Sequence, residues 1–244
     1  MNQTTAPPII SADYGRIKKV RSFEELLSTP FDGNVNALCW KRTLPGDFGE
    51  VVANLGAGSG ITTIKEDRLK ELSLSKEGNI ARDTLLADQE LLRTRELSPI
   101  LDCVNGYHHD MEAGPVQNPF PTHVQSFHAD SATVVADTYL CTYYGLSSEG
   151  VFNEEAIRRV DIPETRALLL EQYGGLDDDG FLEYLNDNYY DLHYVPLPEA
   201  QPYSFGVGNL WRIAIEYPDC AVPPCIHRAP ATLPGQNPRL LLIS

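Results

Sequence analysis

The chain has 244 residues, of which 42% are hydrophobic, and a formal net charge of −15 at pH 7. Its apolar runs, such as ALLL and LLLI, are far too short to span a bilayer. Residues 101–244 carry almost all the acidic excess, with 6 Lys and Arg against 20 Asp and Glu. The negative electrostatic field of these acidic residues disfavours nucleic acids and anionic membranes as partners.

The N-terminal residues lack a basic segment followed by an apolar core, so we expect no secretory signal and a cytoplasmic protein. Residues 1–20 are predicted to be a flexible arm. The five cysteines are an odd number, widely spread, and we interpret them as reduced. Cys220 and Cys225, close to His227, suggest a zinc site, but buried cysteine is the favoured interpretation because no second pair completes it.

The first hundred residues are predicted to be mostly helical. Ser22 is followed three residues later by Glu25, a capping-box arrangement that predicts a short helix over SFEELLS. NVNALCW is typical of a strand. Leucine stripes at helical spacing then predict helices over PGDFGEVVANL, EDRLKELSLS and NIARDTLLADQELLRTREL.

From about residue 100 the chain becomes rich in Pro, Gly and aromatic residues. Short strands are predicted over TVVADTYLCTYYG, HYVPL, FGVGNLWRIAIEY, CIHRAP and RLLLI, and helices over NEEAIRRV and PETRALLLEQY. This order predicts an α+β fold with a jelly-roll or cupin-like barrel buttressed by N-terminal helices. We expect a single domain over 21–244, with its helical part at about 21–100 and its barrel part at about 101–244.

Two loop motifs have alternative interpretations. Gly56–Gly60, in VVANLGAGSGITTI, resembles the glycine-rich loop of S-adenosylmethionine methyltransferases. The preceding residues have helical periodicity, so a helix terminus followed by a surface loop is favoured. GGLDDDGFLE lacks the spacing of a calcium loop and is interpreted as a solvated turn.

The segment FHAD places His128 and Asp130 two positions apart in a stretch that resembles a strand, so their side chains should share one face. Such a pair can bind a metal together or form an ordinary hydrogen bond. The segment YHHD places His108 and Asp110 at the same spacing. We interpret this segment as a loop, and its His108 and Asp110 as the chief rivals of His128 and Asp130 for the role of metal ligands.

The C-terminal residues favour a metal site. His227 lies in the short predicted strand CIHRAP, and Arg239 follows twelve residues later in the next. Two neutral imidazoles and one carboxylate form the facial triad that binds Fe(II). An arginine one strand beyond can bind a carboxylate bidentately.

This pattern, HxD followed by a distal His and then an Arg, resembles the 2-oxoglutarate- and Fe(II)-dependent oxygenases. The tail H-R-x-P...N-P-R-L-L-L is similar to their phytanoyl-CoA hydroxylase-like branch. More closely, the chain resembles an uncharacterised bacterial domain-of-unknown-function family over roughly residues 33–244, through NALCWKRTLPGDF, FHADSATVVADTYLCTYYG, VGNLWR and IHRAP...RLLLIS.

The resemblance implies a double-stranded β-helix in which His128, Asp130 and His227 are the metal ligands and catalytic residues. Arg239 would be the salt-bridge partner of 2-oxoglutarate. The chain departs from the pattern of these oxygenases at two points. Leu241 stands where many of them have a hydroxyl residue, and His128 and His227 are 99 positions apart.

The implied activity is oxidation of a small-molecule substrate with Fe(II), 2-oxoglutarate and O2. The alternatives are a cupin-like metal-binding protein without oxygenase activity and the methyltransferase. The substrate, the reaction outcome and the oligomeric state stay open. Candidates for lining the pocket, each equally well explained as core, are Tyr139, Tyr143, Tyr144, Trp211 and Arg212.

Overall fold

A computed structural model describes residues 15–107, 120–231 and 237–244. Its strands are β1 (Ile17–Val20), β2 (Ala37–Trp40), β3 (Gly60–Thr63), β4 (Ile100–Asn105), β5 (Asp137–Tyr144), β6 (Glu149–Val151), β7 (Ala156–Arg158), β8 (Tyr194–Pro196), β9 (Tyr203–Ser204), β10 (Leu210–Ala214), β11 (Ile226–Arg228) and β12 (Arg239–Ile243). Its α-helices are α1 (Phe23–Ser28), α2 (Phe48–Leu55), α3 (Glu66–Lys70), α4 (Lys76–Arg93), α5 (Pro163–Tyr173) and α6 (Asp179–Asp187). None of the helices in these ranges combines the length and apolar character needed to cross a membrane.

The larger sheet has seven strands in the order β1-β2-β10-β5-β12-β4-β3. β1 and β2 run parallel, and the other neighbouring pairs are antiparallel. As far as the described residues show, this sheet is not closed as a barrel. The α+β class is therefore confirmed, with a large mixed sheet at its centre. β1 lies within the stretch predicted as an arm.

A smaller sheet has the order β11-β6-β9, and the FHAD segment extends it. His128 and His227 exchange both backbone hydrogen bonds at 2.9 Å, so residues 127–129 lie beside β11. On the other side of this segment, the Tyr194 amide donates to the Phe127 carbonyl at 2.8 Å. Since β8 pairs with β7, one hydrogen-bonded array runs from β7 through the FHAD segment to β9.

Two apolar cores lie on the two faces of the larger sheet. On one face, helices α1 to α4 pack over side chains such as Leu38, Cys141 and Leu242. On the other face, the smaller sheet packs over Leu140, Trp211 and neighbouring side chains. Alternation along each strand assigns successive residues to the two cores. The N-terminal helices therefore pack against one face of the larger sheet.

The four helices predicted in the first hundred residues are present because their signals are local, but α3 ends at Lys70, within EDRLKELSLS, and β1 and β3 were not predicted as strands. The Glu25 amide donates to Ser22 Oγ at 3.1 Å, so Ser22 caps α1 as the capping box predicts. The Glu50 amide donates to Asp47 Oδ1 at 2.9 Å in the same way and caps α2.

Two predictions in the second half are wrong. NEEAIRRV is not an α-helix, since Ala156–Arg158 forms β7 between two 3₁₀ turns. Its β-branched Ile157 pairs with Val195 of β8, a contact that helical spacing cannot reveal. GGLDDDGFLE is not simply a solvated turn, because α6 begins within it. Asp178 caps that helix, whose Phe181 is completely buried.

We expect Ser22→Ala to lower the free energy of unfolding by about 0.5–2 kcal/mol, because it removes the hydrogen bond that caps α1. Ser28, the exposed last residue of the same helix, provides the control, and Ser28→Ala should change stability by no more than about 0.5 kcal/mol. Urea unfolding measures both. Equal effects of the two substitutions would contradict the capping role.

The glycine-rich stretch Gly56–Gly60 is a helix terminus and surface loop, as predicted. α2 ends at Leu55, Gly56 has a left-handed φ of 57°, and β3 begins at Gly60. The loop therefore follows a helix and leads into a strand, the reverse of the strand-to-helix order that a nucleotide-type glycine loop requires.

Because the order of elements around this loop is reversed, we expect no binding of S-adenosylmethionine. Isothermal calorimetry tests this directly on the wild-type chain. A micromolar dissociation constant would contradict the structural interpretation of the loop and restore the methyltransferase hypothesis.

Candidate metal centre

The FHAD segment leaves the smaller sheet at the point where the two sheets approach each other. His128 pairs with β11, while two residues later the Asp130 carbonyl accepts a hydrogen bond from the Glu216 amide at 2.8 Å. Glu216 lies just beyond β10 of the larger sheet. Thr138 of β5 donates its hydroxyl to Asp130 Oδ2 at 2.7 Å. The Asp130 carboxylate is thus anchored by the larger sheet, and the His128 ring by the smaller one.

His128, Asp130 and His227 converge, with one potential ligand atom from each within 4.8 Å of the others. Asp130 Oδ1 lies 3.7 Å from His128 Nε2, and Oδ2 lies 3.8 Å from His227 Nε2. Both distances are too long for hydrogen bonds. These polar atoms therefore face one another without bonding directly, an arrangement that suits an intervening cation better than an ordinary hydrogen-bonded pair.

Backbone carbonyls fix the orientation of both imidazoles. His128 Nδ1 lies 2.8 Å from the Ser126 carbonyl oxygen, and His227 Nδ1 lies 3.3 Å from that of Cys225. A carbonyl accepts only, so each Nδ1 must carry the proton. The Nε2 lone pairs are then directed toward the Asp130 carboxylate, as in metal sites whose histidines are oriented by a second hydrogen bond.

The charge states of the site also suit a divalent cation. Burial, together with the neighbouring His227, lowers the pKa of His128 to about 4, so its imidazole is neutral at pH 7. Burial acts to raise the pKa of Asp130, but His227, the Thr138 hydrogen bond and His128 outweigh it, and the net shift is downward. A neutral imidazole and an ionised carboxylate are the ligand forms that metals require.

No other group of three or more His, Cys, Asp or Glu side chains in the described ranges has this geometry. Cys225 instead lies in the core between the sheets, with Sγ 3.7 Å from Tyr203 Oη. The structure thus favours the buried-cysteine interpretation for Cys225. His108 and Asp110, the rival pair, lie outside the described residues.

Arg239, the first residue of β12, is buried with 4% of its surface exposed. Its guanidinium donates to the Leu146 carbonyl at 2.6 Å, to Tyr107 Oη at 2.8 Å and to Ser148 Oγ at 3.1 Å. All three acceptors are uncharged, and burial lowers the pKa of Arg239. In the described part of the chain no carboxylate forms an ion pair with this cation.

Arg228 points to the outer face of the smaller sheet, opposite to His227. Its Nε donates to Glu149 Oε2 at 2.8 Å, and its guanidinium carbon lies 4.3 Å from the centre of the Phe127 ring. His227 faces the core between the sheets, with its ring 6.2 Å from that of Phe205. The alternation of side chains along a strand therefore holds at the predicted ligand.

The proposed pocket-lining aromatics and Arg212 belong to the cores instead. Tyr139, Tyr143 and Tyr144 pack on the helix-covered face of the larger sheet. Arg212 pairs with Asp137 and donates to backbone carbonyls of α1 and its C-terminal cap. Trp211 is buried between the sheets, where its indole donates to the Phe205 carbonyl at 2.8 Å.

A cleft of about 220 Å³ opens beside the triad, and its lining includes Thr122, His123, His128, Asp130, Tyr189 and His193. Four of the six histidines lie in the described ranges, and all four are at or next to this cleft. His123, His193 and Thr138 were not predicted from the sequence as residues of the site. The rarity of histidine was the only signal for the two histidines, and Thr138 had none, because the contacts that bring these residues together join positions distant along the chain.

Comparison of the chain with protein-family models, with curated protein sequences and with solved structures finds no match. A functional assignment therefore depends on the residues of the site and on their geometry. Fold-level analogy alone would be a weak basis for one, since unrelated functions share folds.

Proposed function

We propose that the protein is a 2-oxoglutarate- and Fe(II)-dependent oxygenase that oxidises a small molecule. The observation that carries the proposal is the convergence of two carbonyl-oriented imidazoles and one ionised carboxylate without hydrogen bonds between them. His128, Asp130 and His227 would hold the iron and leave other positions open for ligands. Bound Fe(II) supplies activation of O2, with 2-oxoglutarate as the co-reductant.

The strand order supports the double-stranded β-helix that this proposal implies. Along the chain, β4, β5, β10 and β12 lie in the larger sheet in the order β4-β12-β5-β10. The FHAD segment, β6, β9 and β11 lie in the smaller one in the order FHAD-β11-β6-β9. Two facing groups of four strands, between which the chain repeatedly crosses, are typical of a jelly roll.

The 99-residue separation of the two ligand histidines has a structural explanation. Between β6 and β9 the chain inserts β7, α5, α6 and β8. Without this excursion, His128 and His227 would be separated by little more than the strands of the roll. The excursion returns to the site, because His193 pairs with His128 and lines the cleft.

Arg239 supports binding of the cosubstrate carboxylate. A guanidinium has five N–H donors, and the three contacts to Leu146, Tyr107 and Ser148 leave two of them for a ligand. A buried cation surrounded by uncharged acceptors has an uncompensated desolvation cost, which a bound carboxylate would offset. The acidic field of residues 101–244 makes such a specific cation necessary for a dianionic ligand.

One observation favours a second candidate, a cupin-like metal-binding protein without oxygenase activity. The hydrogen bonds from Arg239 to protein acceptors also explain this residue as a structural tie between β12 and the turn before β6. This candidate uses the same three metal ligands but requires no affinity for 2-oxoglutarate.

Anaerobic titration of the protein with Fe(II) and then 2-oxoglutarate distinguishes the two candidates. The oxygenase should develop the weak visible charge-transfer band of a bidentate 2-oxo acid on iron. Metal binding without this band would support the metal-binding protein, and absence of metal binding would exclude both.

A further inference from the structure

Tyr189 places an exposed aromatic ring at the cleft beside the triad. It lines the cleft together with His128 and Asp130, and it is 62% exposed. Every other Phe, Tyr or Trp that the structure describes is buried or half-buried. A ring that stays largely in water contributes little hydrophobic stabilisation, so core packing does not explain why a tyrosine occupies this position.

The backbone of Tyr189 is in the left-handed region, with φ 59° and ψ 18°. The residue lies between α6 and the 3₁₀ turn Tyr190–Leu192. This turn places Tyr190, which is 2% exposed, in a small core with Phe181 and leaves Tyr189 outside it. Glycine or asparagine would adopt the same backbone conformation at a lower cost than tyrosine. An unfavourable residue at the edge of a candidate site indicates a role for its side chain in that site.

The rest of the cleft lining favours an uncharged ligand. Val124, Ala129 and Leu192 contribute apolar side chains, and Val124 is itself 42% exposed. In the described part of the chain this lining includes no lysine or arginine, and its one carboxylate is that of the proposed ligand Asp130. The strongly acidic residues 101–244 also repel anions. A carboxylate or phosphate would therefore find no cation in the cleft to hold it.

We propose that the cleft beside the triad binds an uncharged aromatic molecule whose ring packs against Tyr189 and Val124. This proposal names the substrate class of the oxygenase and rests on the proposed function to that extent. Two aromatic rings in offset or edge-on contact attract each other by more than the burial of their apolar area alone provides. Tyr189 would thus hold the ring of the substrate next to the metal ligands.

The test uses three probes that share a phenyl ring and differ in charge, namely benzyl alcohol, benzoate and benzylammonium. Saturation-transfer NMR titrations measure their binding to the metal-free full chain, and benzyl alcohol should bind most tightly. We expect Tyr189→Ala to weaken its binding by at least about fivefold and Tyr189→Phe, which keeps the ring, by less than about twofold. Leu176→Ala is the control, because Leu176 is an exposed apolar residue of the same excursion but is not among the lining residues. Its effect should also be less than about twofold.

Tyr189→Asn separates a role in binding from a role in stability. Because asparagine tolerates the left-handed region, this variant should raise the midpoint of thermal unfolding by about 1–4 °C. Its affinity for benzyl alcohol should nevertheless fall by at least about fivefold. A lower midpoint with unchanged affinity would show that the tyrosine serves the fold, and would overturn the proposal.

Three other results would also overturn it. They are absence of benzyl alcohol binding to the wild-type chain, equal losses in Tyr189→Ala and Leu176→Ala, and tighter binding of benzoate or benzylammonium than of benzyl alcohol. None of the probes requires iron. The aromatic site can therefore be confirmed even if the Fe(II) titration fails, and iron binding can be confirmed even if the aromatic site is absent.

Discussion

Replacing Asp130 with Asn is expected to weaken binding of a divalent cation by more than about a hundredfold. Changes to groups that merely orient metal ligands typically cost 10- to 100-fold in affinity, so loss of a charged ligand should cost more. Asn retains an oxygen that can accept the Thr138 hydroxyl, and the fold should therefore persist. Thermal unfolding with and without Fe(II), Co(II) or Zn(II) measures the effect, since bound metal at about 100 times its dissociation constant stabilises by about 2.7 kcal/mol.

Glu216→Gln is the matched control for this substitution. Glu216 pairs through its backbone with Asp130, but its side chain is exposed and is not part of the triad. Glu216→Gln removes one negative charge close to the site. Because the Glu216 side chain is not part of the triad, metal affinity should change little. If Asp130→Asn binds metal as tightly as the wild-type chain, the three residues are not the ligands.

Replacing Arg239 with Gln is expected to weaken 2-oxoglutarate binding by about tenfold to a hundredfold, while metal affinity changes little. Charge-assisted hydrogen bonds contribute about 1.5–3 kcal/mol, and about 1.4 kcal/mol corresponds to a factor of ten. The proposed metal ligands lie on the FHAD segment and β11, whereas Arg239 begins β12. Anaerobic titration of the iron-loaded variants, followed through the visible charge-transfer band, measures the cosubstrate affinity.

Arg228→Gln is the control for Arg239→Gln, because this substitution also removes one positive charge, but from the outer face of β11. Its cosubstrate affinity should stay within about twofold of the wild-type value, a change of less than about 0.5 kcal/mol. Unchanged 2-oxoglutarate affinity in Arg239→Gln would show that Arg239 is a structural tie. A loss of equal size in both variants would show that the effect is general electrostatics.

The ligand set could be proposed from the sequence because its first two members are local. His128 and Asp130 are two positions apart, and strand geometry alone directs their side chains to one face. The helices of the first half were accessible for the same reason, since Ser22 and Glu25 cap α1 within a single turn. In each case the interacting atoms are separated by only a few residues.

The features that were not predicted depend on contacts between residues far apart in the sequence. Ile157 becomes part of a strand only because β8 lies beside it, 38 positions later, and helical spacing alone gave the opposite prediction. His193 reaches the site only because α5 and α6 fold back onto the FHAD segment. Thr138 contacts Asp130 because β5 crosses beneath it. Such contacts depend on packing over long chain separations, which composition and periodicity do not encode.

By itself, therefore, the sequence determined the α+β class, the helix caps, the acidic second half and the residue types of a possible metal site. The tertiary structure alone decided that the three side chains converge, with the Asp130 carboxylate 3.7 and 3.8 Å from the two imidazoles and not hydrogen-bonded to either. It also decided which arginines are left without a carboxylate. The physical reason is that helical or strand periodicity and local charge depend on residues close together in the sequence. The burial of side chains and their convergence at one site arise only when distant strands pack together.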